Sequence, residues 1–296
     1  MNDFLSAFLP VCESTLRVST PLLLAALGGL LSERAGVINI ALEGLLLIGA
    51  FAAACVALAS GSPWTGALAG AGAGFGLALV YGLFVIEFRA DQIVAGTAIN
   101  MLAAGLTPFL CKIFYDSTIA TPALAISARF FSAPIYWAWL AAGLCHVWLY
   151  RTAFGLWVRF AGEKPDALDA AGIRVKCVRW AALAGGGILA GLGGASLSLF
   201  LSSSFTRNMS SGRGFMAIAA LIFGKWRPLP TALACLLFGF ADAMQIRLQG
   251  VILWGTEPVP VQFIQILPYV VTILVLAGVV GRSRAPKALG LPYLPR

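Results

Sequence analysis

Glu43 is the residue best placed to do chemistry in this sequence. It stands in Ile38-Asn39-Ile40-Ala41-Leu42-Glu43-Gly44, some two helical turns into an otherwise apolar run. A carboxylate at that depth of a bilayer costs on the order of 2.5–3.5 kcal/mol on insertion scales. It must therefore face a partner or a watery cavity. Two uses stand open: a structural hydrogen bond to a neighbouring helix end, or a place on the lining of a solute path. Proton coupling is a third use, but the sequence offers no second buried acid or base to pair with it. Asn39 and Asn100 are the other polar side chains set well inside apolar runs. Each can glue helices together or line the same path.

Other chemistries find little support. Asp242 and Gln245 fall near the end of an apolar run, where water is close. His146 is the only histidine and sits beside Trp148 and Tyr150, a pattern that suits interfacial anchoring. The six cysteines are scattered with no CxxC pair, so neither a disulfide framework nor a metal site is expected. No Ser/His/Asp arrangement or carboxylate pair suggests hydrolysis. No GxxxxGK[ST] phosphate loop is present, so ATP is not expected to bind here by that route.

The elements that must position these residues follow from composition. The 296 residues are 60% hydrophobic and 11% charged, with a mean hydropathy of +0.91. Soluble domains run at about 45–50% apolar and 25% charged. A chain so poor in charge cannot cover a water-exposed surface, whereas lipid solvates apolar side chains. The expectation is an all-α fold, a polytopic membrane helix bundle, forming a single transmembrane domain over 1–296. The net charge of +8 lies between the apolar runs, so topology explains it and no nucleic acid is expected as a partner. The start Met1-Asn2-Asp3-Phe4 lacks a basic n-region, so no cleaved secretory signal is expected.

About 20 apolar residues are needed per membrane helix. That length predicts spans at Leu16–Leu31, Val37–Ala59, Thr65–Phe88, Gln92–Phe114, Tyr136–Tyr150, Val178–Leu201, Leu229–Leu248 and Val261–Val280. Eight full spans result, plus Phe215–Gly224, which is too short to cross as a regular helix. Asp116–Ser132 is polar and reads as an external connection. Arg151–Arg179 carries the densest charge and must lie outside the hydrocarbon. With that stretch cytoplasmic, 14 of the 20 basic residues fall inside and 6 outside, provided the short segment crosses. Pro165, acids at Asp166 and Asp169, and Gly172 predict a short capped helix within it. Glycines cluster at Ala69–Gly74 and Gly185–Gly194, spacing that suits close helix packing or a surface for sliding.

Four motifs then carry a resemblance. Ser32-Glu33-Arg34-Ala35-Gly36-Val37-Ile38-Asn39-Ile40-Ala41-Leu42-Glu43-Gly44 resembles the N-terminal signature of permeases of ABC-type nucleoside and simple-sugar importers. Gln92-Ile-Val-Ala-Gly96-Thr97-Ala-Ile-Asn100 resembles their next motif. Arg151–Ile173 is similar to the coupling segment shared with ribose-type and branched-chain amino-acid permeases. Gly212-Arg213-Gly214-Phe215 through Gly224-Lys225-Trp226-Arg227-Pro228 resembles the motif after it. The Glu33-to-Gly44 form looks most like the shorter permease of the purine-nucleoside importer pair.

The resemblance implies a multi-pass subunit of the bacterial inner membrane that hydrolyses nothing itself. It implies a cytoplasmic ABC ATPase holding ATP and magnesium, a second and different permease, and an extracytoplasmic substrate-binding protein. It implies a substrate path near Asn39, Glu43 and Asn100. It implies an ATPase contact at Arg159, Gly162, Glu163 and Asp166 within the coupling loop 151–179, and a broken or re-entrant element at Phe215–Gly224. Two rival readings are a gradient-driven secondary transporter and an ABC permease for ribose or branched-chain amino acids.

Overall fold

The computed structural model describes residues 2–248 and 284–293, with isolated positions 266 and 270, and side chains from residue 9. Ten α-helices occupy these residues: α1 (Asn2–Arg34), α2 (Leu42–Ser60), α3 (Pro63–Gly82), α4 (Gln92–Tyr115), α5 (Ala133–Arg151), α6 (Ala153–Glu163), α7 (Pro165–Ala170), α8 (Val175–Ser196), α9 (Arg213–Phe223) and α10 (Pro228–Leu248). α3 and α8 each end in a π-helical turn, Leu83–Glu87 and Leu197–Leu201. Among the described residues, seven helices are long and apolar enough to cross a membrane, and α9 is a shorter apolar helix. The eighth expected span, Val261–Val280, lies outside the described residues.

Helix ends follow local chemistry. Asp91 caps α4 by accepting the Ile93 and Val94 amides at 2.9 and 3.0 Å. The Thr152 hydroxyl caps α6 by accepting the Gly155 amide at 3.1 Å. Pro63 and Pro165 open α3 and α7, where a missing N–H leaves nothing unpaired. Gly61 and Gly172 close α2 and α7 with positive φ. The short helix expected from Pro165 is thus α7, and α6 precedes it in the stretch expected as one charged loop.

α1 and α8 are the most enclosed helices, whereas α4 and α5 turn most of their surface outward. The centre is a seam of α1, α2, α3 and α8, and glycine sets its closeness. A Cβ on Gly49 would lie 2.6 Å from the Gly191 carbonyl oxygen of α8. One on Gly194 would fall on the Leu46 carbonyl oxygen. Gly70 and Gly74, one turn apart, face the seam, while a Cβ on Gly72 between them would meet nothing within 4 Å. In lipid there is little hydrophobic drive between helices, so backbone approach of this kind supplies the contact.

One end of the bundle is closed by irregular chain. Segment 119–130 pairs with 199–207 through an antiparallel bridge at Ala120 and Thr206 and the bonds Thr121 N–H to Phe205 O and Leu124 N–H to Ser203 O. The other end gathers α6, α7, the last turn of α1 and the tail 284–293. Ala288 donates to the Gly162 carbonyl at 2.8 Å and Gly290 to that of Gly36 at 3.1 Å. The tail and the stretch 151–179 therefore share one face.

Gly194→Val should remove most of the detergent-stable protein, because the added methyls have no space between α8 and α2. Gly72→Ala should leave yield and thermal midpoint unchanged. Size-exclusion profiles and thermal melts of the two variants check the contrast.

Candidate functional site

The sequence predicts one helix across Val37–Ala59, and here the structure corrects it. α1 stops at Arg34, and α2 starts only at Leu42. Gly36 reverses the chain with φ +93°, and residues 37–41 run outside any helix. Glu43 therefore lies in the first turn of α2, not two turns into a helix.

Non-helical backbone is tolerated at such a place only where protein or a cavity satisfies it, and side chains from α3 and α4 do so. The Ile38 amide donates to Gln92 Oε1 at 2.7 Å, and the Ile38 carbonyl accepts the Tyr81 hydroxyl at 2.6 Å. The Asn39 amide bonds the Glu33 carboxyl. Asn100 Nδ2 donates to the Ile40 carbonyl at 2.9 Å, while its Oδ1 accepts the Gly44 amide at 2.7 Å. Asn100 thus completes the start of α2 from outside the helix. Asn39 is fully buried, and its Nδ2 donates to Ser32 Oγ at 3.1 Å.

Glu43 spends its carboxylate on a second helix. Oε1 accepts the Gly212 amide at 2.7 Å and Oε2 accepts the Gly214 amide at 2.7 Å. Those amides open α9. A Cβ on Gly214 would collide with the Glu43 backbone, so only glycine lets the helix come this near. Free N–H groups and the macrodipole make a helix start positive. The starts of α2 and α9 converge on this one negative group. Of the two open readings, the bond to a neighbouring helix end is the geometry observed. Arg213, the first residue of α9, also lies within electrostatic reach of Asp242 on α10. A base, Arg213, therefore stands between the two residues whose amides Glu43 accepts, and it faces an acid on α10, which spacing along the chain did not reveal.

The short segment expected at Phe215–Gly224 is α9. At about 1.5 Å per residue, its 11 residues cover roughly half of a ~30 Å hydrocarbon core. It runs from Glu43 to Trp226, whose indole donates to Glu33 Oε2 at 2.6 Å and whose carbonyl accepts Arg34 Nε at 2.8 Å. Before it, 202–212 descends without helix from the paired segments at the far end. The chain thus crosses here as an irregular half followed by a helical half.

The stretch 151–179 divides by exposure. Arg159 and Glu163 line a cleft of about 310 Å³ with Arg34, Tyr150 and Arg227. Arg159 stacks on the Tyr150 ring at 5.1 Å, and Arg34 pairs with Glu163 at 4.0 Å. Asp166 is exposed on α7. Gly162 is buried, where a Cβ would strike the Arg34 carbonyl. Asn39, Glu43 and Asn100 are brought together around the start of α2, whereas Gly162 and Asp166 point to different surroundings. Gln92, Tyr81, Glu33, Trp226 and Arg213 complete the site and were not singled out by the sequence. Glu33, Gln92, Arg213 and Trp226 nonetheless stand inside the motifs that carry the resemblance.

The proteins described as branched-chain amino acid transport system / permease component match residues 11–276. The chain belongs to this permease family. The guanosine ABC transporter permease protein NupQ of Bacillus subtilis is 40% identical, with 96% of each chain covered. The nucleoside ABC transporter permease protein NupC of Lactococcus lactis is 36% identical over the same shares. The Haloferax volcanii permease TsgC13, whose name carries a provisional glucose assignment, is 33% identical with 92% of each covered. The chain is therefore the permease component of an ABC importer and a multi-pass protein of the bacterial inner membrane.

In this permease Glu43→Ala should strip both amides at the start of α9 of their acceptor, at about 1.5–3 kcal/mol for each charge-assisted bond. A lowered thermal midpoint and faster proteolysis near Arg207 and Arg213 are expected, with Glu43→Gln intermediate. Limited trypsin digestion in detergent checks it.

Proposed function

We propose that this permease carries nucleosides inward, as one of two different permeases enclosing a central path, driven by a separate ATPase subunit. The observation that carries the substrate class is the identity of 40% and 36% to NupQ and NupC over 96% of both chains. The polar side chains Asn39, Glu43 and Asn100 gathered around the start of α2, with Arg213 at the start of α9, suit an uncharged, hydroxyl-rich solute. We assign the path to that region. A substrate-binding protein would dock on the paired segments 119–130 and 199–207, opposite the ATPase.

The ATPase contact belongs to α6 and α7. Asp166 and the outer rims of Arg159 and Glu163 would touch the partner, while Gly162 would act by letting α6 sit on the Arg34 carbonyl. Closure of the ATPase pair would then push α6 directly against the last turn of α1, and Trp226 ties that turn to the end of α9. ATP and magnesium remain on the partner. A gradient-driven mechanism is disfavoured because both Glu43 oxygens are held by backbone amides. A simple-sugar substrate is the second reading, favoured by the likeness to TsgC13.

Uptake of labelled guanosine or adenosine by the reconstituted complex should require ATP, and unlabelled nucleosides should block it while ribose, glucose and leucine should not. Carriage of ribose, glucose or leucine instead would move the substrate class. Uptake without ATP would remove the importer mechanism. Asp166→Arg should lower ATP-driven uptake several-fold while leaving permease assembly intact, as measured by transport in vesicles and co-purification.

A further inference from the structure

The tail 284–293 touches α6, α7, α8 and the turn after α1. Tyr293 packs on the cluster containing Leu168 of α7 and Val175 of α8, and its hydroxyl bonds the Asp169 carboxylate. The Leu291 carbonyl accepts Arg179 Nη1 of α8 at 3.0 Å. Ala288 donates to Gly162 of α6, and Gly290 donates to Gly36 in the turn after α1. At Gly290, φ is +78° and an added Cβ would lie 2.8 Å from the Ile38 side chain.

Arg179 is 4% exposed. Its Nε and Nη2 find no partner among the described residues. A buried guanidinium held mainly by one tail carbonyl is an unusual expense for a purely structural bond. It also borders Gly36, where a Cβ would lie 2.9 Å from Nη2. Arg179 thus stands between the tail and the turn that leads to Glu43. The contacts run in sequence from Asp169 through Tyr293, Leu291 and Gly290 to Ile38, and onward to the start of α2 and, by Glu43, to α9.

We propose that the tail is a transmission strap that couples movement of α7 to the broken segment at the start of α2, with Arg179 as its positioning residue. The inference rests on the reading that the ATPase docks on α6 and α7. In the strap's absence α7 can move without drawing Gly36 and Ile38 with it, so ATP is hydrolysed with less transport. Two elements that respond as one gain their coupling from contacts present between them, here four backbone and side-chain bonds within ten residues.

The test uses the complete complex in vesicles and reads uptake and ATP hydrolysis together. Removal of residues 284–296 should leave assembly and hydrolysis intact and lower uptake per ATP about fivefold. Gly290→Val should do the same, since it displaces the strap at its half-buried contact with Ile38 without touching the helix seam. Arg179→Gln should share the loss, and Arg179→Lys should recover part of it. An assembled truncation or Gly290→Val complex with the wild-type ratio overturns the strap. If the truncation does not assemble, Gly290→Val decides. Absence of ATP-dependent uptake in the wild-type complex would instead remove the underlying ATPase-docking reading.

Discussion

The convergence of two helix starts on Glu43 holds the broken part of this membrane protein together. Each start presents unpaired N–H groups and a positive pole. In water such groups are solvated at little cost. Within a bilayer each would cost several kcal/mol if left alone. Glu43 meets this demand by contributing a negative charge to the first turn of its own helix and two acceptors to the next. A carboxylate that looks costly by its depth thus offsets a larger cost created by interrupting two helices at one height.

The interruption needs further support from outside. Segment 37–41 draws on Gln92, Tyr81 and Asn100 for bonds that a helix would have made internally. α4 carries two of these three and is itself pinned by the Asp91 cap. α3 carries the third and is fixed against α8 by glycine contacts. The tightly packed seam therefore sets the distance at which α4 reaches the broken segment. Packing and polar satisfaction are parts of one arrangement here. An error of an ångström in the seam would stretch the Asn100 pair and leave Ile40 and Gly44 unsatisfied.

Much of this was legible from residue order. Apolar run lengths gave seven spans that the structure contains, and the brevity of Phe215–Gly224 marked α9 as incomplete. Pro165 and Gly172 bracketed α7 by chemistry local to a few residues. The break at 37–41 stayed hidden because four of the five residues Val37–Ala41 are apolar, and hydropathy does not register which partner holds an amide. Asn100 and Glu43 were visible as polar residues in apolar runs, yet their partners lie 56 and 169 positions away. Asp242 read as a residue near water at the end of its run, and it is half-buried in the structure. Only the folded chain brings Arg213 within electrostatic reach of it.

The glycine seam has a thermal consequence. Water-driven cores owe much of their stability to apolar surface withdrawn from solvent, which brings a large heat-capacity change and a weakening on cooling. The contacts of Gly28, Gly49, Gly74 and Gly194 join backbone to backbone and displace lipid rather than water. Separation of these helices inside the bilayer therefore exposes little new surface to water, and the associated heat-capacity change is small. The bundle keeps its cohesion in the cold, where a soluble core of the same size begins to loosen.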